Sequence, residues 1–264
     1  MVRGYLILFD QDKNKAQEQG SGEQERGTGH ALLQKKSYFQ NFSIERNSFN
    51  KEPVCGNPGQ YTLPGGRMST SIVYEHGTLA ATLKQFNEES GISHERLALL
   101  NCVDHGYYAP SARACEGRRS RGPPFFVHFL EVDDVKVVAD EANASLHSAR
   151  LITGAGVNSL TQAEKESALR QLYEETGLND DAADRYEVMQ WSDMLDSLET
   201  CLGFDVGSQE EWARLVREQG LFFNTEGGQE DKIQSVLDNP GSNRDWLIDG
   251  VKCFLYTDNE GRKA

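Results

Sequence analysis

The stretch LKQFNEESGI, residues Leu83–Ile92, carries the most informative pattern in this chain of 264 residues. Leu79, Leu83 and Phe86 recur at i, i+4 and i+7, which places them on one apolar face of a helix. The glycine that follows Ser90 is the residue type that most often ends a helix in the left-handed conformation. The pattern therefore predicts a helix that begins near Leu79 and ends at Ser90.

Two carboxylates and an amide lie on the polar face of this predicted helix. Gln85, Glu88 and Glu89 are spaced i, i+3 and i+4, so their side chains project from the same side. Adjacent carboxylates facing the glycine-rich turn LPGGR, residues 63–67, would form a hard-oxygen site suited to Mg²⁺ or Mn²⁺. The alternative interpretation is an acidic helix end that is merely solvated.

β-Branched and aromatic residues cluster in short segments bounded by turn-forming residues. The predicted strands cover Arg3–Asp10, His30–Phe39, Gln60–Arg67, Leu97–Val103, Pro124–Val132 and Arg185–Trp191. A second helix is predicted over Thr161–Thr176, and two or more helices follow Trp191. Strands interleaved with helices in this way predict an α/β fold in which a mixed sheet is covered by helices.

The segments GYLILFD, HALLQKKS and GQYTLPGGRM…LAATLKQFNEESGI together resemble the Nudix hydrolase family, over roughly residues 2–92. The signature of that family runs G-x5-E-x7-R-E-U-x-E-E-x-G-U, where U is a bulky aliphatic residue. The resemblance implies an α/β/α sandwich. It also implies hydrolysis of a nucleoside diphosphate linked to another moiety, such as ADP-ribose or a dinucleotide, with Mg²⁺ or Mn²⁺ as cofactor.

Glu88 and Glu89 match the paired glutamates of the signature, so the resemblance makes them metal ligands and catalytic residues. Gln85 stands where the family has a principal metal-binding glutamate, and an amide brings no negative charge to a cation. The spacing between the glycine turn and the end of the helix is four residues longer than the signature allows. Glu75 is the candidate for the upstream catalytic glutamate.

The segment LRQLYEETGL, which begins at Leu169, repeats the pattern with Glu174 and Glu175 as its glutamate pair. Five of twelve positions are identical between Ala81–Ile92 and Ser167–Leu178. An internal duplication with decay in both copies explains the similarity, and chance convergence of two amphipathic helix ends is the alternative. If the segment that carries the second copy folds over the first helix, Glu164, Glu166, Glu174 or Glu175 would supply a carboxylate lost elsewhere.

The chain is predicted to form one elaborated domain over residues 1–264. Residues 133–184 would be an insertion that carries the second copy, and residues 192–264 would be a helical tail. The alternative is a tandem of two degenerate Nudix folds, residues 1–135 and 136–264.

Aromatic and basic residues outside the signature are candidates for contacts with a substrate. Tyr107 and Tyr108 precede a basic loop that contains Arg118 and Arg119, and Arg67 follows the glycine turn. Arginines bind phosphates in bidentate fashion, and tyrosines stack on a base. The alternative is a solvated loop whose arginines pair with nearby acids.

Asp plus Glu number 41 against 27 Lys plus Arg, a formal net charge of −14. This charge disfavours binding to a nucleic-acid backbone, apart from capped RNA. No run of about 18 apolar residues occurs, which predicts no membrane span. Five scattered cysteines fit the reduced thiols of a cytoplasmic protein. The sequence does not decide whether the protein forms a homodimer or binds a protein partner.

The sequence therefore predicts a metal-dependent pyrophosphohydrolase that acts on nucleotides. The alternative is a catalytically decayed Nudix fold that binds a nucleotide or a protein, because glutamine stands at matching places in both copies. Glu88 and Glu89 favour the enzyme, whereas Gln85 and the longer spacing favour the binding module.

Overall fold

The computed structural model describes residues 2–11, 29–109, 125–154, 160–190, 193–194, 206–220, 228–238 and 251. Within these residues the chain forms nine strands and six helices, which confirms the predicted α/β class. The strands are β1 Val2–Phe9, β2 His30–Lys36, β3 Phe39–Gln40, β4 Glu52–Pro53, β5 Tyr61–Thr62, β6 Gly65–Met68, β7 Val103–Tyr108, β8 Phe125–Glu131 and β9 Ala183–Gln190. The helices are α1 Thr70–Ser90, α2 His94–Ala98, α3 Val135–Thr153, α4 Gln162–Thr176, α5 Val206–Gln219 and α6 Gly228–Leu237.

Seven of these strands form one mixed sheet, as the sequence predicts. Its hydrogen-bonded order is β5-β2-β1-β8-β7, with β6 paired to β1 and β9 paired to β2. The central strands β1 and β8 are parallel, and the other pairs in the sheet are antiparallel. β3 and β4 form a separate antiparallel pair. Strand β9 therefore completes the same sheet that β1 begins.

The two faces of the sheet are both buried, which explains the continuous apolar run YLILF in β1. Leu6 lies in one apolar core and Ile7 lies in the other, because successive side chains of a strand point to opposite faces. The first core is closed by α1, α3 and α4. The second core contains Met194 and Val251 from the C-terminal part of the chain.

Helix α1 approaches the sheet closely because β1 has a glycine at the crossing point. A Cβ atom on Gly4 would lie 2.1 Å from Thr82 Oγ1, so a side chain there would push the helix away. The helix is kinked at Gly77, whose φ of 84° and ψ of 174° are accessible to glycine. The part after the kink confirms the helix predicted to begin near Leu79, and it ends at Gly91 with a φ of 75°.

The prediction of a strand over Leu97–Val103 is wrong for most of that segment. Residues His94–Ala98 form α2, and the side chain of Ser93 caps this helix by accepting a hydrogen bond from the backbone N–H of Arg96. Strand β7 begins only at Val103. A short apolar run such as LALL fits a strand or a buried helix equally well, and the capping serine decides between them.

Residues 133–184 contribute directly to the first core. Asp134 caps the start of helix α3, because its carboxylate accepts from two backbone N–H groups of the first turn. Helix α4 begins with a capping box formed by Thr161 and Glu164, which confirms the predicted second helix. The buried apolar side chains of this region are Val135, Val138, Ala139, Ala142, Leu146, Ala149, Leu169, Leu178 and Ala183. The division of the chain into domains stays a prediction.

Helices α5 and α6 pack on each other and confirm that helices follow Trp191. Trp212 and Val216 of α5 contact Ile233 and Val236 of α6, and this small core also touches Tyr38 and Phe39. Among the residues that the structure describes, no helix combines the length and apolar character needed to cross a lipid bilayer.

Candidate functional site

The carboxylate of Glu89 lies against the sheet and is held by three nitrogen groups. Gln34 Nε2 donates to Glu89 Oε2 at 2.7 Å, and Lys36 Nζ donates to the same oxygen at 3.2 Å. Gln85 Nε2 donates to Glu89 Oε1 at 3.0 Å. We call this group, together with two neighbouring residues, the Glu89 cluster; its members are Gln34, Lys36, Gln85, Glu89, Asp180 and Tyr186.

Three elements place the Glu89 cluster. In β2, Gln34 and Lys36 follow Leu32 at intervals of two, so they share the face on which α1 packs. The glycine turn of β6 passes close by, because a Cβ atom on Gly66 would lie 3.8 Å from Glu89 Oε1. The predicted arrangement, in which the end of the helix faces the glycine turn, therefore holds for Glu89.

Asp180 and Tyr186 belong to the cluster because, besides burial, the negative charge of Glu89 raises the pKa of both side chains. Burial and the neighbouring Glu89 carboxylate raise the pKa of Asp180 to about 7. Tyr186 is fully buried, its hydroxyl lies 3.3 Å from Gln34 Nε2, and burial raises the pKa of its phenol. Among the described residues no group forms a hydrogen bond with the buried Gln34 Oε1. Buried polar atoms are rarely left without a partner, so this oxygen marks the cluster as unusual.

Glu88 has different surroundings from Glu89. Its carboxylate pairs with Lys84 one helical turn earlier, and the Lys84 side chain is half exposed. The backbone carbonyl of Glu88 accepts a hydrogen bond from Asn179 N at 2.7 Å. The two glutamates of the predicted metal pair are therefore each bound to a different lysine.

The C-terminal ends of α1 and α4 pack directly against each other. Asn87 Nδ2 donates to the carbonyl of Thr176 at 2.9 Å. A Cβ atom on Gly177 would lie 2.2 Å from Asn87 Oδ1, so only glycine allows this approach. The second copy thus folds against the first helix.

The glutamates of the second copy do not reach the Glu89 cluster. Glu174 and Glu175 are exposed, and Gln171 Nε2 donates to Glu175 Oε1 at 2.8 Å on the surface. The same glutamine-to-glutamate hydrogen bond therefore occurs in both copies, partly buried in α1 and exposed in α4. The carboxylate that interacts with Glu89 from this part of the chain is Asp180, in the loop that follows the second copy.

Two other predicted residues lie on the surface. Glu75 has 70% of its side chain exposed, precedes the kink at Gly77 and faces His76 Nε2 at 3.7 Å. Arg67 is exposed in β6. The roles predicted for Glu75 and Arg67 stay predictions.

The two predicted tyrosines face opposite sides of the sheet. The ring of Tyr107 lies 5.6 Å from the ring of His128, whereas Tyr108 packs against the second core. A single ligand on one face of the sheet would therefore meet one of them. The predicted phosphate-binding residues Arg118 and Arg119 lie outside the described residues.

An open cleft of about 630 Å³ adjoins the Glu89 cluster, and we call it the Lys36 cleft. Its charged lining residues are Lys35, Lys36, Lys51, Arg150, Asp181 and Asp184. Asp181 accepts hydrogen bonds from both nitrogens of Asn41 at 2.7 Å, and Asp184 lies 3.3 Å from Arg150. Lys51 Nζ lies 4.5 Å above the ring of Phe39, which also lines the cleft.

The divalent cation implied by the Nudix resemblance does not fit this donor set. Mg²⁺ and Mn²⁺ need several oxygen ligands with available lone pairs. Both oxygens of Glu89 already accept from N–H groups, and one of these groups is an ammonium that a cation would have to displace. Within the described part of the chain, no group of three or more His, Cys, Asp or Glu side chains is arranged to hold a metal ion.

Comparison with known proteins adds no family assignment. The chain matches no protein-family model, and no curated protein matches it significantly.

Sequence reasoning missed the members of the cluster that lie outside the signature. Gln34, Lys35 and Lys36 end the apolar strand as three consecutive polar residues. Because alternate residues of a strand face opposite sides, Gln34 and Lys36 could have been placed on the face of Leu32, and this is the signal that would have found them. Asp180 had no such signal, because its place depends on how the loop after α4 packs.

Proposed function

We propose that this protein binds a small phosphate-bearing ligand of the nucleotide class in the Lys36 cleft, on a Nudix-like scaffold. The observation that carries the proposal is the double role of Lys36. Its side chain lines the cleft and forms the 3.2 Å ion pair with Glu89. Lys36 thereby neutralises the charge of Glu89 at the end of α1, and the adjoining cleft is lined by further lysines.

The charge of the Lys36 cleft supports an anionic ligand. Four basic side chains and two aspartates line it, but Lys36 is paired with Glu89 and Arg150 with Asp184. Lys35 and Lys51 therefore supply the positive charge that is available to a ligand, in a chain of net charge −14. One of the aspartates, Asp181, accepts hydrogen bonds from Asn41, and burial raises the pKa of the Asp181 carboxyl group. Lysine and arginine bind phosphate oxygens through charge-assisted hydrogen bonds. The cleft therefore favours phosphate over a neutral ligand.

The size and the aromatic lining of the cleft support a nucleotide. Sites for small molecules commonly enclose about 300–1,000 Å³, and about 630 Å³ lies within that range. Tyr38 and Phe39 belong to the lining, both also contact the small core of α5 and α6, and Lys51 Nζ lies over the Phe39 ring. Rings beside lysines suit a base joined to phosphates.

The proposal is tested by calorimetric titration of the wild-type protein with ADP-ribose, diadenosine tetraphosphate, NAD and adenosine. We expect the phosphate-bearing compounds to bind and adenosine to bind at least about tenfold more weakly, a difference of about 1.4 kcal/mol. Lys51→Met should weaken the binding of ADP-ribose, and Lys84→Met, outside the cleft lining, should not. Equal effects of the two substitutions, or equal binding of adenosine, would contradict the proposal.

Hydrolysis of a nucleoside diphosphate-linked compound is the second candidate function, and one observation favours it. Asp180, with a pKa of about 7, lies beside Glu89 and suits the abstraction of a proton from water near neutral pH. Detection of phosphate products with the same compounds would establish this function. Turnover that Asp180→Asn abolishes would assign the base, whereas binding without turnover supports the binding protein.

A further inference from the structure

The small antiparallel pair of β3 and β4 sorts its charged side chains onto two faces. Gln40 of β3 is paired with Glu52 of β4, so their side chains lie on the same face. Arg46 binds both of them, donating to Gln40 Oε1 at 2.7 Å and to Glu52 Oε2 at 3.0 Å. The acidic residue next to Lys51 in the sequence is therefore paired with an arginine on the face opposite to Lys51.

The other face of this pair brings Phe39 and Lys51 into the lining of the Lys36 cleft. Phe39 is paired with Pro53, two residues after Lys51, and such diagonal neighbours are within reach of a long side chain. Lys51 Nζ accordingly lies over the Phe39 ring, 4.5 Å from its centroid. This distance is typical of an attraction between a cation and the face of an aromatic ring.

The three other cations of the cleft each interact with a carboxylate. Lys36 and Arg150 form the ion pairs described above. Lys35 interacts electrostatically with Glu187. Among the residues that the structure describes, Lys51 is therefore the cleft cation that rests on a ring and has no paired acid.

The Phe39 ring is a fixed support for the ammonium group. Its backbone belongs to β3, and the ring packs against the small core of α5 and α6. A phenyl ring attracts an ammonium through the negative face of its π-system but carries no net charge. The ring therefore orients Lys51 and leaves its positive charge uncompensated, whereas a carboxylate in the same place would neutralise it.

We propose that Lys51 makes the principal contact with the phosphate of the ligand and that Phe39 is the positioning residue for Lys51. The ring holds the ammonium group at the wall of the cleft, where its charge is available to a phosphate oxygen. The inference rests on the proposed function, because it names the residues that select an anion in the same cleft.

Calorimetric titration with ADP-ribose tests the roles of the two residues. We expect Lys51→Met to weaken binding at least about tenfold, and Lys35→Met, which removes the same charge from a lysine with an acid partner, to weaken it less. Phe39→Leu keeps an apolar contact with α5 and α6 and should weaken binding about three- to fivefold. Phe39→Tyr keeps the ring and should bind as the wild type does.

The double variant separates positioning from a general structural effect. If Phe39 acts through Lys51, adding Phe39→Leu to Lys51→Met should change the affinity by less than about 1.5-fold. A loss of the same size in both backgrounds would show that Phe39 does not act through Lys51 and would overturn the inference. A larger loss in Lys35→Met than in Lys51→Met would also overturn it.

Nuclear magnetic resonance of the ligand-free wild type tests the contact without a variant or a ligand. The ring current of Phe39 should shift the ε-methylene protons of Lys51 upfield of those of Lys84, which is paired with Glu88. Absence of this shift, with normal binding of ADP-ribose, would overturn this inference alone. The shift without binding of any phosphate-bearing compound would confirm the contact and overturn the proposed function together with the phosphate role of Lys51.

Discussion

At the scale of single residues, Glu88 and Glu89 show why neighbours in a motif need not have the same role. Glu89 accepts hydrogen bonds from side chains of β2 and α1, whereas Glu88 pairs with the half-exposed Lys84. Helical spacing predicts that both project from one side of α1, but it does not determine the partners of either. The partners of Glu89 could not be predicted from the helix, because Gln34 and Lys36 lie more than 50 positions earlier in the sequence.

Replacing Glu89 should therefore destabilise the protein far more than replacing Glu88. Glu89→Gln leaves the Lys36 ammonium buried without a counter-charge, and breaking such a pair costs about 3–5 kcal/mol. Glu88→Gln removes a partly exposed pair and should cost less than about 1 kcal/mol. Urea denaturation measures both free energies of unfolding. Equal losses would show that Glu89 is not held as described.

His128 gives a prediction about pH that is independent of the Glu89 cluster. Its ring is buried in β8 between Tyr107 and Phe126, and burial lowers its pKa from 6.5 to about 4. The unfolded chain binds a proton on this histidine between pH 6.5 and 4, and the folded chain does not. The stability that this group contributes is therefore complete above pH 6.5 and is lost as the pH falls to 4.

His128→Phe should remove this part of the pH dependence. A shift of about 2.5 units corresponds to about 3 kcal/mol, so the wild type should lose up to that much stability relative to the variant between pH 7.5 and 4. The control is His76→Gln, because the side chain of His76 is 65% exposed. Urea denaturation at several pH values compares the three proteins. A wild-type profile parallel to that of His128→Phe would contradict the assignment.

At the scale of elements, the two similar segments meet as two packed helix ends. Gly91 and Gly177 both end their helices with positive φ, and the loop after α4 carries Asn179 to the carbonyl of Glu88. Both helices could be predicted, because the apolar spacing and the terminal glycine agree in each. Their contact could not be predicted, because it depends on tertiary packing that neither segment encodes alone.

Gly177→Ala should disrupt this contact. A Cβ atom there would lie 2.2 Å from Asn87 Oδ1, so Asn87 must move and give up its hydrogen bond to Thr176. Gly220 is the matched control, since it also has positive φ at a helix end but has open space around it. Both substitutions incur roughly 1–2 kcal/mol of backbone strain, and Gly177→Ala should cost about 1 kcal/mol more. Thermal unfolding measures the difference, and equal losses would contradict the packed arrangement.

At the scale of the whole molecule, the sequence was sufficient for the class of fold but not for the site. Continuous apolar strands and amphipathic helices predicted the mixed sheet and its covering helices. The strand predicted over Leu97–Val103 was wrong, because an apolar run of four residues does not distinguish strand from helix. The Lys36 cleft could not be predicted, because its lysines come from β2 and the loop after β3, and its arginine comes from α3. In a chain of net charge −14, only the fold brings these positive charges together.

Metal-independent binding of a nucleotide is tested most directly by a calorimetric titration of the wild-type protein with ADP-ribose, first in EDTA and then in Mg²⁺ at the same ionic strength. We expect binding in both buffers, with dissociation constants that agree within about twofold after the affinity of Mg²⁺ for the free ligand is included. We also expect the heat to return to baseline after each injection. Binding that requires Mg²⁺ would contradict metal-independent binding. A continuing heat signal in Mg²⁺ but not in EDTA would show turnover, and the protein would then be a metal-dependent hydrolase.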